Sequence, residues 1–149
     1  MKLSTKGRYG LKAMFDIATI YERQEPISLK QIAEKNHLSE QYLEQIFSVL
    51  KKSGLVKSIR GAQGGYMLGR QPSEITVGDI IRVLEGPIAP SMCVLEEETD
   101  CIELRTCPTR DVWKQIKDSV DEVIDNITLE DMLLKNQKKT QVSLIDSID

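Results

Sequence analysis

The spacing of apolar residues in the first half of the chain predicts three helices separated by short polar breaks. The first covers residues 5–21, and the second covers residues 28–36, after a break at Pro26. The third covers residues 39–53, and Gly54 follows where a helix commonly ends. Each of the last two opens with a serine that can cap it. Two short helices joined by about three residues are typical of a helix-turn-helix, although any helical hairpin in a bundle has this spacing.

A β-hairpin is predicted directly after the third helix. Residues 55–60 and 66–68 are strand candidates, and the glycine-rich loop of residues 61–65 between them permits a tight reversal. A hairpin in this place is the wing of a winged helix-turn-helix. The alternative is a phosphate-binding nucleotide loop, but that needs a following helix and a Lys-Ser/Thr pair, and neither is present.

The second half of the chain predicts a helix, a long loop and two more helices. Thr76 caps a helix that runs through Glu85, and residues 87–107 then form a loop that is too long for a mere connection. The overall class is mainly α with a small β wing. We predict a winged helix-turn-helix DNA-binding domain at residues 1–86 and a cysteine-bearing sensor loop at residues 87–107. A dimerisation helix with a short terminal helix follows at residues 108–134, and a disordered tail at residues 135–149.

The long helix, residues 108–126, carries apolar residues at alternating steps of three and four. They are Trp113, Ile116, Val120, Val123 and Ile127. This is the apolar seam of a coiled coil, and a small winged domain offers no partner for it. We expect a second copy to cover the seam, giving a twofold homodimer that reads a palindromic operator. The alternative is that the stripe packs on the core of its own chain.

The charge distribution favours a polyanionic partner for the first half only. The 149 residues carry a net charge of −3, which taken alone argues against nucleic acid. Residues 1–70, however, hold 12 basic and 6 acidic side chains, whereas residues 71–149 hold 8 and 17. The basic half therefore suits double-stranded DNA. No apolar run is long enough to span a membrane and the first residues show no signal-peptide core, so we expect a cytoplasmic protein.

The third predicted helix turns a polar face outward. Exposed amides can hold adenine with two hydrogen bonds, and a carboxylate can accept from the cytosine amino group. Most polar helix faces are simply solvated, but the preceding turn and the following wing favour base reading here. Basic residues of the first helix would contact phosphates, and Arg60 would enter a minor groove or contact a phosphate. The candidate DNA-binding residues are Lys6, Arg8, Ser39, Gln41, Glu44, Gln45, Ser48, Lys51, Arg60, Gly64 and Gly65.

Three cysteines, Cys93, Cys101 and Cys107, lie in the long loop. Three thiolates in one loop suit a soft metal centre, and iron–sulfur clusters are held mainly by cysteine. The alternatives are thiol redox sensing, another metal, or no role. Nearby carboxylates predict raised thiol pKa values and poor reactivity. A thiol enzyme would need a base, and His37, the one histidine, is remote in sequence, so we expect no enzyme.

Several motifs, in order, resemble one bacterial family. They are MKLSTKGRYG at residues 1–10, LSEQYLEQ at 38–45, GLV at 54–56 and RGAQGGY at 60–66. The chain is similar to the regulators typified by the iron–sulfur cluster regulator IscR, whose relatives include CymR and NsrR. The resemblance spans about residues 1–134. It implies a homodimeric winged helix-turn-helix regulator with base-reading residues at Gln41, Glu44, Gln45 and Arg60.

The resemblance also implies two different signals. In the IscR branch the loop cysteines hold an iron–sulfur cluster, which for this chain favours 2Fe-2S over 4Fe-4S. The fourth ligand stays open, because Arg110 stands where IscR has histidine and Arg8 where NsrR has an acidic residue, while Asp111, Glu103 or an exogenous group could serve. Residues 78–87 instead resemble the CymR branch, which lacks these cysteines and is controlled by a cysteine-biosynthetic enzyme. We therefore expect control of iron–sulfur or sulfur-metabolism genes, by a cluster, by such a partner, or by thiol oxidation.

Overall fold

The computed structural model describes residues 1–95 and 100–148 and contains six helices and one hairpin in that part of the chain. The predicted class, mainly helical with a small wing, is confirmed. The elements are α1 (Thr5–Thr19), α2 (Leu29–Asn36), α3 (Glu40–Lys52), β1 (Val56–Ile59), β2 (Gly65–Leu68), α4 (Val77–Glu85), α5 (Arg110–Asp125) and α6 (Leu129–Asp146). Short 3-10 turns lie at Tyr21–Arg23, Pro72–Glu74 and Met92–Val94.

The helix starts lie where side-chain caps were predicted. The hydroxyl oxygens of Ser28, Ser39 and Thr76 each accept a hydrogen bond from the backbone N–H of the third residue of α2, α3 and α4. Such caps satisfy donors that have no partner within the helix. The first helix ends at Thr19, slightly earlier than predicted, and a 3-10 turn replaces its last residues.

The core lies where α1, α2, α3 and α4 meet, and the wing and α6 close it. Its largest fully buried side chains include Met14, Ile32, Phe47, Ile80 and Leu129. The two wing strands pair antiparallel, from Val56 opposite Leu68 to Ile59 opposite Gly65. Leu129 joins this core although it belongs to the last helix, so α6 is part of the same folding unit as the DNA-reading helices.

The prediction of a disordered tail is wrong for most of its length. Residues 135–146 continue α6 as a helix, although every one of them is exposed. A capping box starts the helix: Asp131 N donates to Thr128 Oγ1 at 3.1 Å, and Thr128 N donates to Asp131 Oδ2 at 2.9 Å. No glycine or proline follows to stop it, and Leu, Lys and Gln favour helix without any apolar period. A polar composition without apolar periodicity therefore does not indicate disorder in this segment.

Candidate DNA interface and cysteine loop

The polar face of α3 lies on the surface, as predicted. Leu43, Ile46, Phe47 and Leu50 are buried and fix the rotation of the helix. The opposite face is exposed and consists of Gln41, Glu44, Gln45, Ser48 and Lys51. Ser39 is exposed too, but its hydroxyl accepts from Tyr42 N at 3.1 Å and so caps the helix. The amides and the carboxylate therefore stand ready for an external partner.

The structure brings Lys6 of α1 to this face but not Arg8. Lys6 lines a shallow cleft together with Gln41, Glu44, Gln45 and Ser48. Arg8 is exposed, and the helical repeat places it on nearly the same side of α1 as Phe15, which lines a cleft with residues of α6. A cation beside a base-reading surface suits a phosphate contact, so Lys6 combines with α3 in one interface, while Arg8 faces another side.

The wing is held against α3 and places Arg60 at its edge. The ring centroids of Phe47 and Tyr66 are 4.7 Å apart. Arg60 is exposed and directly follows β1. Tyr66 also exchanges two backbone hydrogen bonds with Ile27, at 2.8 and 3.0 Å. These contacts keep the wing in a fixed relation to the helix-turn-helix.

The two glycines singled out in the wing loop have a backbone role. A Cβ at Gly64 would lie 2.2 Å from the carbonyl oxygen of Ile59, and one at Gly65 would lie 2.2 Å from that of Ile27. Gly65 also has φ +155°. Only glycine allows these close approaches. The glycines shape the wing, and any DNA contact would be made by their backbone.

Four of the five residues of the predicted dimer seam lie on α5, which has no buried residue, and Ile127 follows the end of that helix. Trp113, Ile116, Val120 and Ile127 are half-buried, and Val123 is 58% exposed. Within the described residues, their own chain therefore covers the seam residues only in part, and Val123 least of all. The homodimer itself stays a prediction.

The three cysteines are not gathered at one point. Cys101 is exposed, Cys93 and Cys107 are half-buried, and none of the three forms a disulfide. Within residues 1–95 and 100–148, no three His, Cys, Asp or Glu side chains stand close enough to hold a metal ion. Their thiolate chemistry suits an iron–sulfur cluster, but their arrangement here does not fit one.

Arg110 connects the loop to the start of α5. Its Nε donates to the carbonyl oxygen of Cys93 at 3.2 Å. Sequence reasoning considered Arg110 only as a residue unable to bind metal and missed this contact, which no local pattern reveals because the two residues are 17 apart. The arginine ties the first cysteine of the loop to the helix that follows the last.

Cys107 lies just before α5, and its surroundings favour the thiolate. Hydrogen bonds from the side chain and backbone of Thr109 and from the backbone of Arg110 lower the pKa of the Cys107 thiol below its ordinary value. The Thr109 hydroxyl is 3.2 Å from the sulfur. Burial and the Glu103 carboxylate act in the opposite direction but are outweighed. The predicted net rise of the thiol pKa is thus wrong for Cys107, although Glu103 acts in the predicted direction, and the glutamates at 96–98 lie outside the described residues.

These features define a winged helix-turn-helix protein with an exposed polar face on α3, a docked wing and a cysteine-bearing loop. The family model Rrf2, described as an iron-dependent transcriptional regulator, matches residues 3–135, and the chain belongs to this family. That membership confirms the resemblance stated above. It also confirms that the chain is a transcriptional regulator and not an enzyme. In the described part of the chain, no helix has the length and apolarity that a membrane crossing requires.

Individual relatives fall in two branches. The regulator CymR of Bacillus subtilis strain 168 is 55% identical over 132 residues, 89% of each chain. Its structure, described as the global cysteine regulator, gives a TM-score of 0.75 with 53% identity, covering 89% of this chain and 95% of that one. The structure of T. potens IscR gives a TM-score of 0.76 with 50% identity, covering 93% of this chain and 90% of that one. The structure of the oxidized form of Staphylococcus aureus CymR gives a TM-score of 0.71 with 45% identity, covering 89% of this chain and 95% of that one.

Proposed function

We propose that the protein acts in the cytoplasm as a homodimeric repressor or regulator that binds a palindromic operator. The observation that carries this proposal is the single surface formed by the exposed face of α3 and Lys6. In it Gln41, Glu44 and Gln45 read base edges in the major groove, and Arg60 reaches the adjoining minor groove or backbone. The positioning contacts to phosphate and sugar come from Lys6, Ser39, Ser48, Lys51, Gly64 and Gly65, whereas Arg8, which faces another side of α1, is not part of this interface.

Paired substitutions test this division of roles. Glu44→Ala is expected to change the preferred half-site sequence, because it removes the acceptor for a base amino group. Lys6→Ala is expected to weaken binding on all sequences alike and to reduce the salt dependence, because one phosphate contact is lost. Glu22→Ala, at an exposed glutamate beyond the end of α1, is the control and should leave the sequence preference and the affinity unchanged. Binding profiles over a randomised operator library measure all three, and equal profiles for Glu44→Ala and wild type would contradict the proposal.

The genes under control are, in this proposal, those of cysteine and sulfur metabolism, and the regulator works without a cluster. Similarity to CymR, a cysteine regulator, supports this, as does the absence of a metal-binding group among the described residues. The signal is oxidation of a loop thiol or binding of a cysteine-biosynthetic enzyme. An oxidized form is known for the related S. aureus protein, which favours the thiol.

Two measurements separate these signals. Peroxide treatment should lower operator affinity if oxidation is the signal, and Cys107→Ser should abolish that response. Addition of a purified cysteine-biosynthetic enzyme should change operator affinity of the untreated protein if the partner is the signal. A protein indifferent to both treatments would exclude this cluster-free proposal.

An iron–sulfur sensor is the second candidate, and specific observations favour it. The loop holds three cysteines, the family model is described as iron-dependent, and T. potens IscR is 50% identical. In this candidate Cys93, Cys101 and Cys107 bind a cluster, 2Fe-2S in preference to 4Fe-4S, after the loop rearranges. Anaerobic purification with iron and sulfide quantitation and a visible spectrum tests it. Equal operator affinity for cluster-loaded protein and a Cys101→Ala variant would exclude a regulatory cluster.

A further inference from the structure

A cluster of ionic hydrogen bonds joins α4 to α5. Arg82 Nη1 donates to Asp125 Oδ1 at 2.5 Å, and Nη2 donates to Asp125 Oδ2 at 3.0 Å, so the guanidinium holds that carboxylate with two bonds. Nη2 also donates to Asp121 Oδ1 at 2.8 Å. Lys117 Nζ completes the cluster by donating to Asp121 Oδ2 at 2.7 Å. Two-bond pairing between arginine and carboxylate fixes orientation as well as distance.

The surrounding sequence makes room for this cluster. A Cβ at Gly78 would lie 2.0 Å from Asp125 Oδ1 and 2.8 Å from Arg82 Nη1. Glycine in the first turn of α4 therefore lets the Asp125 carboxylate lie directly against that helix. The hydrogen bonds of the cluster also favour the ionised form of Asp121. Burial opposes ionisation of this carboxyl group, but the bonds from Lys117 and Arg82 outweigh burial and lower the pKa of Asp121.

On its other side, α4 is packed tightly against α1. Ser4, the cap of α1, donates from its backbone N–H and its hydroxyl to the Glu85 carboxylate. A Cβ at Gly10 would lie 2.1 Å from a methyl carbon of Leu84, so the two helices are in close contact. Because α1 also carries Lys6, the orientation of α4 is fixed relative to the DNA-reading surface.

The cluster lies close to a second anchor of α5. Val77 N donates to Ile127 O at 2.8 Å, and Leu129 N donates to Ile75 O at 2.9 Å, so the segment that follows α5 is attached to the start of α4. One attachment point leaves a helix free to swing and roll. Asp121 and Asp125 lie one turn apart on α5, and binding both to Arg82 restrains both motions. The apolar residues of α5 are at most half-buried, so their packing restrains these motions less than a fully buried face would.

We propose that Arg82 is the positioning residue that sets the angle between the dimer helix α5 and the DNA-binding unit. The inference rests on the proposed function, in which α5 joins two copies. The angle at each Arg82 then determines the separation and relative rotation of the two α3 helices. It thereby selects the half-site spacing of the operator, since adding one base pair both translates and rotates one half-site relative to the other.

The experiment measures spacing selectivity. The duplex is the one recovered by the wild-type protein from a random-sequence pool, with its half-site spacing lengthened and shortened by one and two base pairs. Arg82→Ala removes the cluster, and Gly78→Ala forces the Asp125 carboxylate away while leaving every charge in place. Lys114→Ala is the matched control, because it breaks an exposed Lys–Asp pair of 2.9 Å, with Asp118, that lies wholly within α5. Sedimentation equilibrium and binding to a single half-site are measured for each protein.

Wild type and Lys114→Ala are expected to lose about fivefold or more in affinity when the spacing changes by one base pair, in the range of ordinary coupling between sites. Arg82→Ala and Gly78→Ala are expected to remain dimeric, to bind a single half-site normally and to lose most of that discrimination. Dimeric Gly78→Ala with the wild-type spacing profile would overturn the inference, even if Arg82→Ala fails to fold. A wild-type protein that is monomeric or recovers no duplex would instead contradict the proposed function, and the inference with it.

Discussion

At the scale of single residues, local geometry outweighs the composition around the cysteines. The many acidic residues near the loop predict sluggish thiols, yet Cys107 receives hydrogen bonds from Thr109 and from the backbone of Arg110. The Thr109 hydroxyl lies 3.2 Å from the sulfur, whereas Glu103 acts on the thiol only as a charge through space. Direct hydrogen bonds to the thiolate therefore decide the direction of the pKa shift. No count of charged residues contains that information.

The lowered pKa of Cys107 predicts selective alkylation. In chelator-treated protein, iodoacetamide is expected to modify Cys107 faster than Cys101 at neutral pH, although Cys101 is the more exposed. Because its pKa is lowered, the thiolate of Cys107 forms at lower pH, so its alkylation rate should begin to rise at a lower pH than the rate of Cys101. Thr109→Val should move that profile toward higher pH. Peptide mass spectrometry of the modified protein measures both rates, and equal profiles for the two cysteines would contradict the assignment.

At the scale of elements, helices with a cap and an apolar stripe were predictable from sequence, while contacts between elements were not. Ser28, Ser39 and Thr76 marked true helix starts because a cap is a local interaction. The length of α6 was missed because its second half has propensity without periodicity. Arg82 was missed because its partners lie about 40 positions away, and only the packing of α4 on α5 brings them together.

The two ends of α6 are expected to contribute very differently to stability. Leu129 is fully buried, so Leu129→Ala should lower the free energy of unfolding by about 2–5 kcal/mol through lost burial and a cavity. Leu144, near the other end of α6, is 60% exposed, and Leu144→Ala should change the free energy of unfolding by about 0.5 kcal/mol or less. Urea denaturation of both variants gives the comparison. Equal losses would mean that the second half of α6 is packed in solution.

At the scale of the whole molecule, one chain presents the proposed DNA-reading surface at α3 and a partly covered apolar stripe at α5. The first is an exposed polar face, as predicted, and the residues of the second are half-buried or exposed within the described part of the chain. Amphipathic helices of this kind gain stability when their apolar face is covered. A second copy would do so and would duplicate the DNA-reading surface at the same time.

A matched pair of valines tests the dimer. Val123 of α5 and Val142 of α6 are 58% and 57% exposed, so an aspartate at either position should cost the isolated chain nearly the same. In the dimer, only Val123→Asp buries a charge in the seam. Sedimentation equilibrium is expected to show a weakened dimer for Val123→Asp and a normal one for Val142→Asp. A Val123→Asp variant with wild-type association would place the interface elsewhere.

Selection of duplexes from a random-sequence pool by the purified wild-type protein tests the central claim most directly. The account predicts recovery of a motif with twofold symmetry, two half-sites at one preferred spacing, and binding that weakens steeply as salt rises. The same selection with Glu44→Ala should return altered half-sites. Recovery of no motif, or of a single asymmetric one, would contradict a twofold DNA-reading regulator.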